Sequence, residues 1–400
     1  MQSHCPYRQT VLLQQALASN KMRIAFLLGA GCPVSIRIPE ANNQTRPLIP
    51  DIAGLTSLVS NILSDDDALK DSYSKLLARF DADSRPNIEE ILSHLRALLD
   101  VVRQGVIDDL NHAVLQALDT KICELIASQV KAPLPEVTTP YHYLAAWISA
   151  TSRTHPIEVF TPNYDLLVEQ AFESRRVPYF DGFVGSREAF FDLTSMESDA
   201  LPARWARLWK LHGSINWWRT ATDDVVRKEQ NSTGDRHMIY PSHLKYEQSR
   251  RLPYLAMLDR LRDFLGRGQA VVVCCGYSFA DQHLNEVIMN GLRSNPTAMC
   301  FGLMYGSRVQ YKEGMLCASR HPNLSLLAED GAVLGTLDRD WHNNDGSAHP
   351  LHGLSARFEP AATEGQTARN TFLLGDFKKL GEFLAYQLNR SDDHVSPATA

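Results

Sequence analysis

The sequence predicts an α/β fold: a Rossmann-like parallel sheet with helices on both faces and an all-helical insertion. Three observations predict it. Ile24-Ala25-Phe26-Leu27-Leu28 is an apolar run stopped by Gly29-Ala30-Gly31, the pattern of a buried first strand turning tightly into a glycine loop. Three further apolar runs, 157–160, 208–211 and 271–275, each end at a polar or glycine-bearing segment. Between the first run and the second, residues 56–147 carry helical periodicity instead.

Taken in order, residues 8–19 read as an amphipathic opening helix. After the glycine loop comes a polar stretch, 40–47, then Leu48-Ile49-Pro50-Asp51, with Asp51 placed to cap a helix ending near residue 63. Asn87-Ile88-Glu89-Glu90 has the residue types of a capping box. Ile107, Leu110, Val114, Leu118, Ile122 and Leu125 recur at spacings of three and four, which predicts one long helix. Strand–helix alternation returns at Ile157. Residues 220–234, polar and without apolar periodicity, read as an exposed hairpin or loop. Helices are expected at 254–265 and 281–292, a strand at 298–304, and a turn at Asp330-Gly331 between strands 324–327 and 333–337. Residues 341–369 read as a loose loop, 372–388 as a closing helix and 391–400 as a disordered tail. The organisation expected is an α/β domain of residues 1–55 and 148–390 enclosing a helical insertion domain of 56–147.

Composition narrows the function. With 44% hydrophobic residues, 400 residues bury a large core. A net charge of −6 gives no whole-chain attraction for nucleic acid or an anionic membrane. The longest apolar runs fall far short of the ~20 residues a membrane span needs. The first ten residues lack an apolar signal core. Seven cysteines, an odd number with Cys274 and Cys275 in an expected core strand, suit reduced thiols in a cytoplasm. No Cys-x-x-Cys occurs, so a structural Cys₄ zinc site is not expected.

The chemistry-bearing residues sit where the expected strands end. They are Thr161-Pro162-Asn163-Tyr164-Asp165, Lys210-Leu211-His212-Gly213-Ser214 and Gly276-Tyr277-Ser278-Phe279. In an open parallel sheet, ligands bind at the carboxyl ends of strands, so these segments and the glycine loop would meet at one crevice. Asn163 can orient a water through an uncharged amide, or it can serve as the turn residue of a Pro-Asn pair. The intrinsic range of histidine suits His212 to proton transfer near neutrality, while a strand-end histidine bonded to a carbonyl is the plainer alternative. Asp165 shares a strand face with Asn163 or caps the helix that follows.

The order and chemistry of these segments resemble the sirtuin family, whose NAD site uses Gly-Ala-Gly, Thr-Gln-Asn-x-Asp, His-Gly and Gly-Thr-Ser in the same order. Here Pro162 replaces the Gln and Tyr277 the Thr, and the resemblance spans residues 24–337. It implies NAD+ as substrate, Asn163 and His212 as the catalytic pair, and contacts to the dinucleotide from Gly29, Ala30, Gly31, Ser35, Asp165, Gly276 and Ser278. Either of Asp281 and Asn285, four apart on one helical face, could reach the adenosine ribose, with solvent exposure the alternative, and Asp330-Gly331 would frame the adenine. For the nicotinamide carboxamide, the family's Gly-Ile-Pro-Asp segment matches either Arg37-Ile38-Pro39-Glu40 or Leu48-Ile49-Pro50-Asp51, and Asp51 is preferred over Glu40.

The helical insertion, the missing zinc cysteines and the Tyr-Asp after Asn163 look like the sirtuin-like proteins of bacterial antiphage defence. Within that group the chain is most similar to the subunit that associates with a HerA-like hexameric ATPase. The resemblance implies an NAD+ hydrolase without metal, a homo-oligomer held in check by that partner in the cytoplasm, and no direct nucleic-acid contact. An NAD-dependent protein deacylase and a non-catalytic NAD or ADP-ribose sensor are the alternatives.

Overall fold

The computed structural model describes residues 3–392 except 41–43, 82–84, 103–104, 199, 221, 223, 230–235, 240–251 and 362–366. Its centre is a nine-stranded sheet. The strands are β1 (Arg23–Leu28), β2 (Glu158–Thr161), β3 (Tyr179–Phe180), β4 (Ala206–Lys210), β5 (Ala270–Cys275), β6 (Met299–Leu303), β7 (Leu324–Leu327), β8 (Gly331–Leu334) and β9 (Leu337–Asp340). They lie in the order β9-β8-β7-β6-β5-β1-β2-β4-β3. All pairs from β7 to β3 are parallel, and the β7–β8 and β8–β9 pairs are antiparallel. The chain steps from β1 to β2 on one side and later to β5 on the other, so β1 flanks the point where the winding reverses.

Alternation along the central strands divides the core into two layers. Ile24, Phe26 and Leu28 of β1 and Val271, Val273 and Cys275 of β5 face one layer. Ala25, Leu27, Val272 and Cys274 face the other. This follows from the two-residue period of a strand, and burial on both faces accounts for the unbroken apolar runs in the sequence. The first layer includes α1 (Pro6–Ala18), α6 (Pro140–Ala150), α7 (Leu167–Ser174) and α11 (Phe377–Asp392). Tyr141 and Phe377 meet edge to face at 4.9 Å where α6 packs on α11. The second layer includes α8 (Tyr254–Gly266), α9 (Gln282–Ser294) and α10 (Lys312–Arg320).

The insertion contributes α2 (Ile52–Ser64), α3 (Lys70–Leu77), α4 (Ile88–Val101) and α5 (His112–Val130). These helices pack chiefly on one another, and their buried side chains run without a break into the first layer of the core. The Asn87–Glu90 capping box forms as its residue types predict. The long helix begins later than Ile107, however. Val106–Ile107 and Leu110–Asn111 form a two-stranded hairpin whose turn residues, Asp108 and Asp109, have φ of 52° and 63°. Asp tolerates this left-handed geometry better than most residues. Asn111 then starts α5 by accepting a hydrogen bond from the Val114 N–H. The insertion is therefore not all helix.

Two other expectations give way, and a third holds in part. Within 220–234 the expected hairpin forms, Val225–Arg227 pairing antiparallel with Gly213–Arg219, but it lies inside a second, five-stranded sheet with Ala189–Phe191 on its other side. Val226 is buried there opposite Trp218, so two valines suffice once a tryptophan-rich partner strand supplies the packing. Residues 341–369 are not a loose loop. The Trp341 indole N–H donates to the Ala328 carbonyl, and Ala356–Glu359 pairs with Arg369–Phe372. Phe372 thus ends a strand, and the closing helix runs from Phe377 to Asp392, which absorbs the first two residues of the expected tail. Residues 393–400 lie outside the described residues.

Candidate active site at the strand ends

Parallel register brings four carboxyl termini level. Leu28 aligns with Cys275, the β1–β2 register carries Leu27 against Phe160, and Lys210 aligns with Thr161. The loops after β5, β1, β2 and β4 therefore leave the sheet side by side, and they hold one another. The Gly29 N–H donates to the Cys275 carbonyl and the Gly31 N–H to the Gly276 carbonyl, both at 2.9 Å. The Thr161 hydroxyl donates to the Leu28 carbonyl at 2.7 Å and accepts from the Asn163 N–H at 3.0 Å. The Leu211 N–H donates to the Thr161 carbonyl at 2.8 Å.

This geometry explains the glycines. A Cβ at Gly29 would lie 2.3 Å from the Gly276 oxygen, and one at Gly31 would lie 2.7 Å from the Gly276 Cα. Gly276 itself has φ of 64° and would drive a Cβ to 2.5 Å from the Cys32 nitrogen. Glycine is demanded by backbone packed on backbone at the winding reversal. The Gly29 and Gly31 N–H groups donate into that contact. Ala30 lies exposed at the rim of the loop.

Asn163 and His212 occupy the ends of the neighbouring strands β2 and β4. The Asn163 amide donates from Nδ2 to the Gly29 carbonyl at 3.1 Å, which fixes the amide plane and leaves Oδ1 as its acceptor end. His212 Nε2 lies 3.2 Å from Asp281 Oδ2, and both side chains are mostly buried. The remaining Asp281 oxygen accepts from the His283 and Leu284 N–H groups and caps α9. One Asp281 oxygen thus caps the helix and the other faces the His212 ring. Ser278 is exposed at the tip of the loop after β5.

Asn285 is placed inside that loop. It accepts from the Tyr277 hydroxyl at 2.8 Å and donates to the Phe279 carbonyl at 2.7 Å. Phe279 has φ of 59°, so Asn285 holds a strained turn from beneath. Asp165 is buried one residue before the N-cap of α7, and its carboxylate accepts from the Leu167 N–H at the start of that helix. Ser35 donates to the Cys32 carbonyl at 2.7 Å. Asp51 caps α2 through the Gly54 N–H, and Glu40 pairs with Arg46 at 3.3 Å. Among the described residues, neither carboxylate has a hydrogen bond or ion pair to Asn163 or His212. Asp330 is committed to Ser307 and Arg308.

One buried group escaped the sequence reading. Lys210, 2% exposed, donates to the Asp165 carbonyl and to Glu169 Oε1 at 3.1 Å. Burial pushes the Asp165 and Glu169 carboxyls above their usual range, and the Lys210 charge opposes that shift. The motif Lys210-Leu211-His212 drew attention to its histidine, while its lysine anchors the loop after β2 from below. Tyr164, in that loop, has a buried hydroxyl without a hydrogen-bond partner among the described residues, and burial raises its phenol well above the ordinary value.

Residues 157–315 match the model of the SIR2-like domain. The matched segment carries Asn163, His212, Gly276 and Ser278; the glycine loop at 29–31 precedes it. No curated protein matches the chain. Among solved structures, a Sir2 homologue–NAD complex is 13% identical with a TM-score of 0.39, covering 99% of this chain and 98% of that one. A mutant Sir2 homologue in complex with ADP-ribose is 10% identical with a TM-score of 0.38, covering 96% and 98%. The fold described above stands on strand order and register, independently of these likenesses. Among the described residues, no group of three or more His, Cys, Asp or Glu side chains could hold a metal ion, and no helix is long and apolar enough to cross a membrane.

Proposed function

We propose that this chain is an NAD+ hydrolase that releases nicotinamide and ADP-ribose. The carrying observation is that the SIR2-like segment sets Asn163 and His212 on the neighbouring strand ends of β2 and β4, Asn163 bonded to the glycine loop after β1 and His212 within 3.2 Å of Asp281 after β5. Cleavage of an N-glycosidic bond passes through an oxocarbenium-like state, which needs a placed nucleophile and a base near the ribose hydroxyls. The Oδ1 of Asn163 suits the first task by holding a water, and His212 the second.

Product analysis tests this reading. The purified chain with NAD+ alone should give free nicotinamide and ADP-ribose. O-acyl-ADP-ribose formed only with an acyl-lysine peptide would make it a deacylase, and no turnover would make it a sensor. Asn163→Ala and His212→Ala should each slow nicotinamide release by ~10²–10⁴-fold with the fold retained. A well-folded His212→Ala protein at full activity would remove His212 from the chemistry.

We extend the proposal to the setting the sirtuin-like resemblance implies: the NAD-depleting effector of a cytoplasmic antiphage complex, assembled as a homo-oligomer and gated by a HerA-like ATPase. A hydrolase of this kind left ungated would harm its own cell. Ile52, Ile62, Val101 and Val106 on the insertion are exposed apolar residues available to such contacts. The net charge of −6 leaves any DNA contact to the partner. Light scattering on the isolated chain should give a multiple of its 44.8 kDa mass. A fully active monomer that ignores the ATPase would defeat this extension.

A further inference from the structure

Among the contacts at the strand ends, one spans the crevice. His212 follows β4 and Asp281 follows β5, and β2 and β1 lie between these strands in the sheet. Three inter-strand steps correspond to ~14 Å at the usual spacing, yet Nε2 and Oδ2 are 3.2 Å apart. The two loops must lean toward each other over the ends of β1 and β2, where the glycine loop and Asn163 sit. Asp281 is well fixed for this task. Its other oxygen takes two N–H groups at the start of α9, and the Tyr277 hydroxyl donates to its carbonyl at 3.2 Å.

We propose that Asp281 is the positioning residue for His212, holding the ring over the crevice and fixing its tautomer. A carboxylate beside Nε2 favours the proton on that nitrogen, which leaves the lone pair on Nδ1. Nδ1 is then the atom that takes a proton from a ribose hydroxyl or a water placed by Asn163. Asp281 touches no reacting atom; it acts through the ring, and the helix cap keeps its carboxylate from following the imidazole when the proton moves. The proposal rests on the reading of His212 as the base.

Asp281→Asn is the informative variant. Asparagine caps a helix about as well as aspartate, so the unfolding midpoint should hold. With its oxygen kept by the His283 and Leu284 N–H groups, the new amide turns its NH₂ toward His212, which forces the lone pair onto Nε2 and the proton onto Nδ1. In ¹⁵N-labelled protein, the long-range ¹H–¹⁵N pattern of the His212 ring, assigned by its loss in His212→Gln, should change accordingly. Nicotinamide release should fall by on the order of 10²-fold or more in kcat, with KM little changed. An unchanged ring pattern, or full kcat in a folded variant, would overturn the proposal. The spectral arm requires no turnover, so absence of NAD hydrolysis in the unaltered chain would fail the function while Asp281's hold on the ring is still decided.

Discussion

Lys210 shows how a single residue can hold a site from behind. It brings one positive charge to two buried carboxyls, Asp165 and Glu169, whose protonation burial already favours. A buried charge left without its partner costs about 3–5 kcal/mol, so Lys210→Met should destabilise the chain by that order. The pH dependence has a definite sign. Without the lysine, both carboxyls rise further in the folded state, and a carboxyl raised on folding gives stability that is complete below its unfolded value of ~4 and is lost as pH rises through the folded value. The variant's deficit should therefore be larger at about pH 8 than at about pH 5 in paired denaturant titrations. Equal deficits would show that the ionisation of the two carboxyls does not depend on Lys210.

Elements differ in how plainly the sequence announces them. The central strands were legible because both faces are buried, which leaves runs such as Val271-Val272-Val273 with no other explanation. Asn163 and His212 were legible as strand-end residues because they directly follow such runs. The Val106–Asn111 hairpin was not, because Ile107 and Leu110 keep a helical spacing that only the turn at Asp108-Asp109 contradicts. The decision passes to Asn111, whose side chain accepts from the Val114 N–H and sets where α5 begins. Asn111→Ala should cost ~1 kcal/mol and Asn111→Asp very little, read as shifts in the denaturant midpoint. Equal losses in the two variants would mean that the start of α5 is set by packing and not by its cap.

At the scale of the whole molecule, the contact between His212 and Asp281 was beyond sequence reasoning, because it depends on the order of strands in space and not on any spacing along the chain. The same holds for the continuity of the insertion's core with the sheet, since amphipathic helices reveal that they bury a face without revealing against what. That continuity is uneven in strength. β5 has all six residues buried and bonds to β1 and β6 along its length, whereas α2 to α5 pack chiefly on one another. Opening the insertion thus breaks fewer contacts than opening the sheet, and local stability follows such differences. In native-state hydrogen exchange, amides of α2 to α5 should open together at a free energy below that of β5, whose amides should exchange only through global unfolding. Adding NAD+ to His212→Ala, which should bind without turnover, should slow exchange in the loops after β1, β2 and β5 while leaving β5 itself unchanged. If the insertion and β5 exchanged at one common free energy, the chain would be a single cooperative unit, and movement of the insertion relative to the strand-end loops would require unfolding of the entire protein.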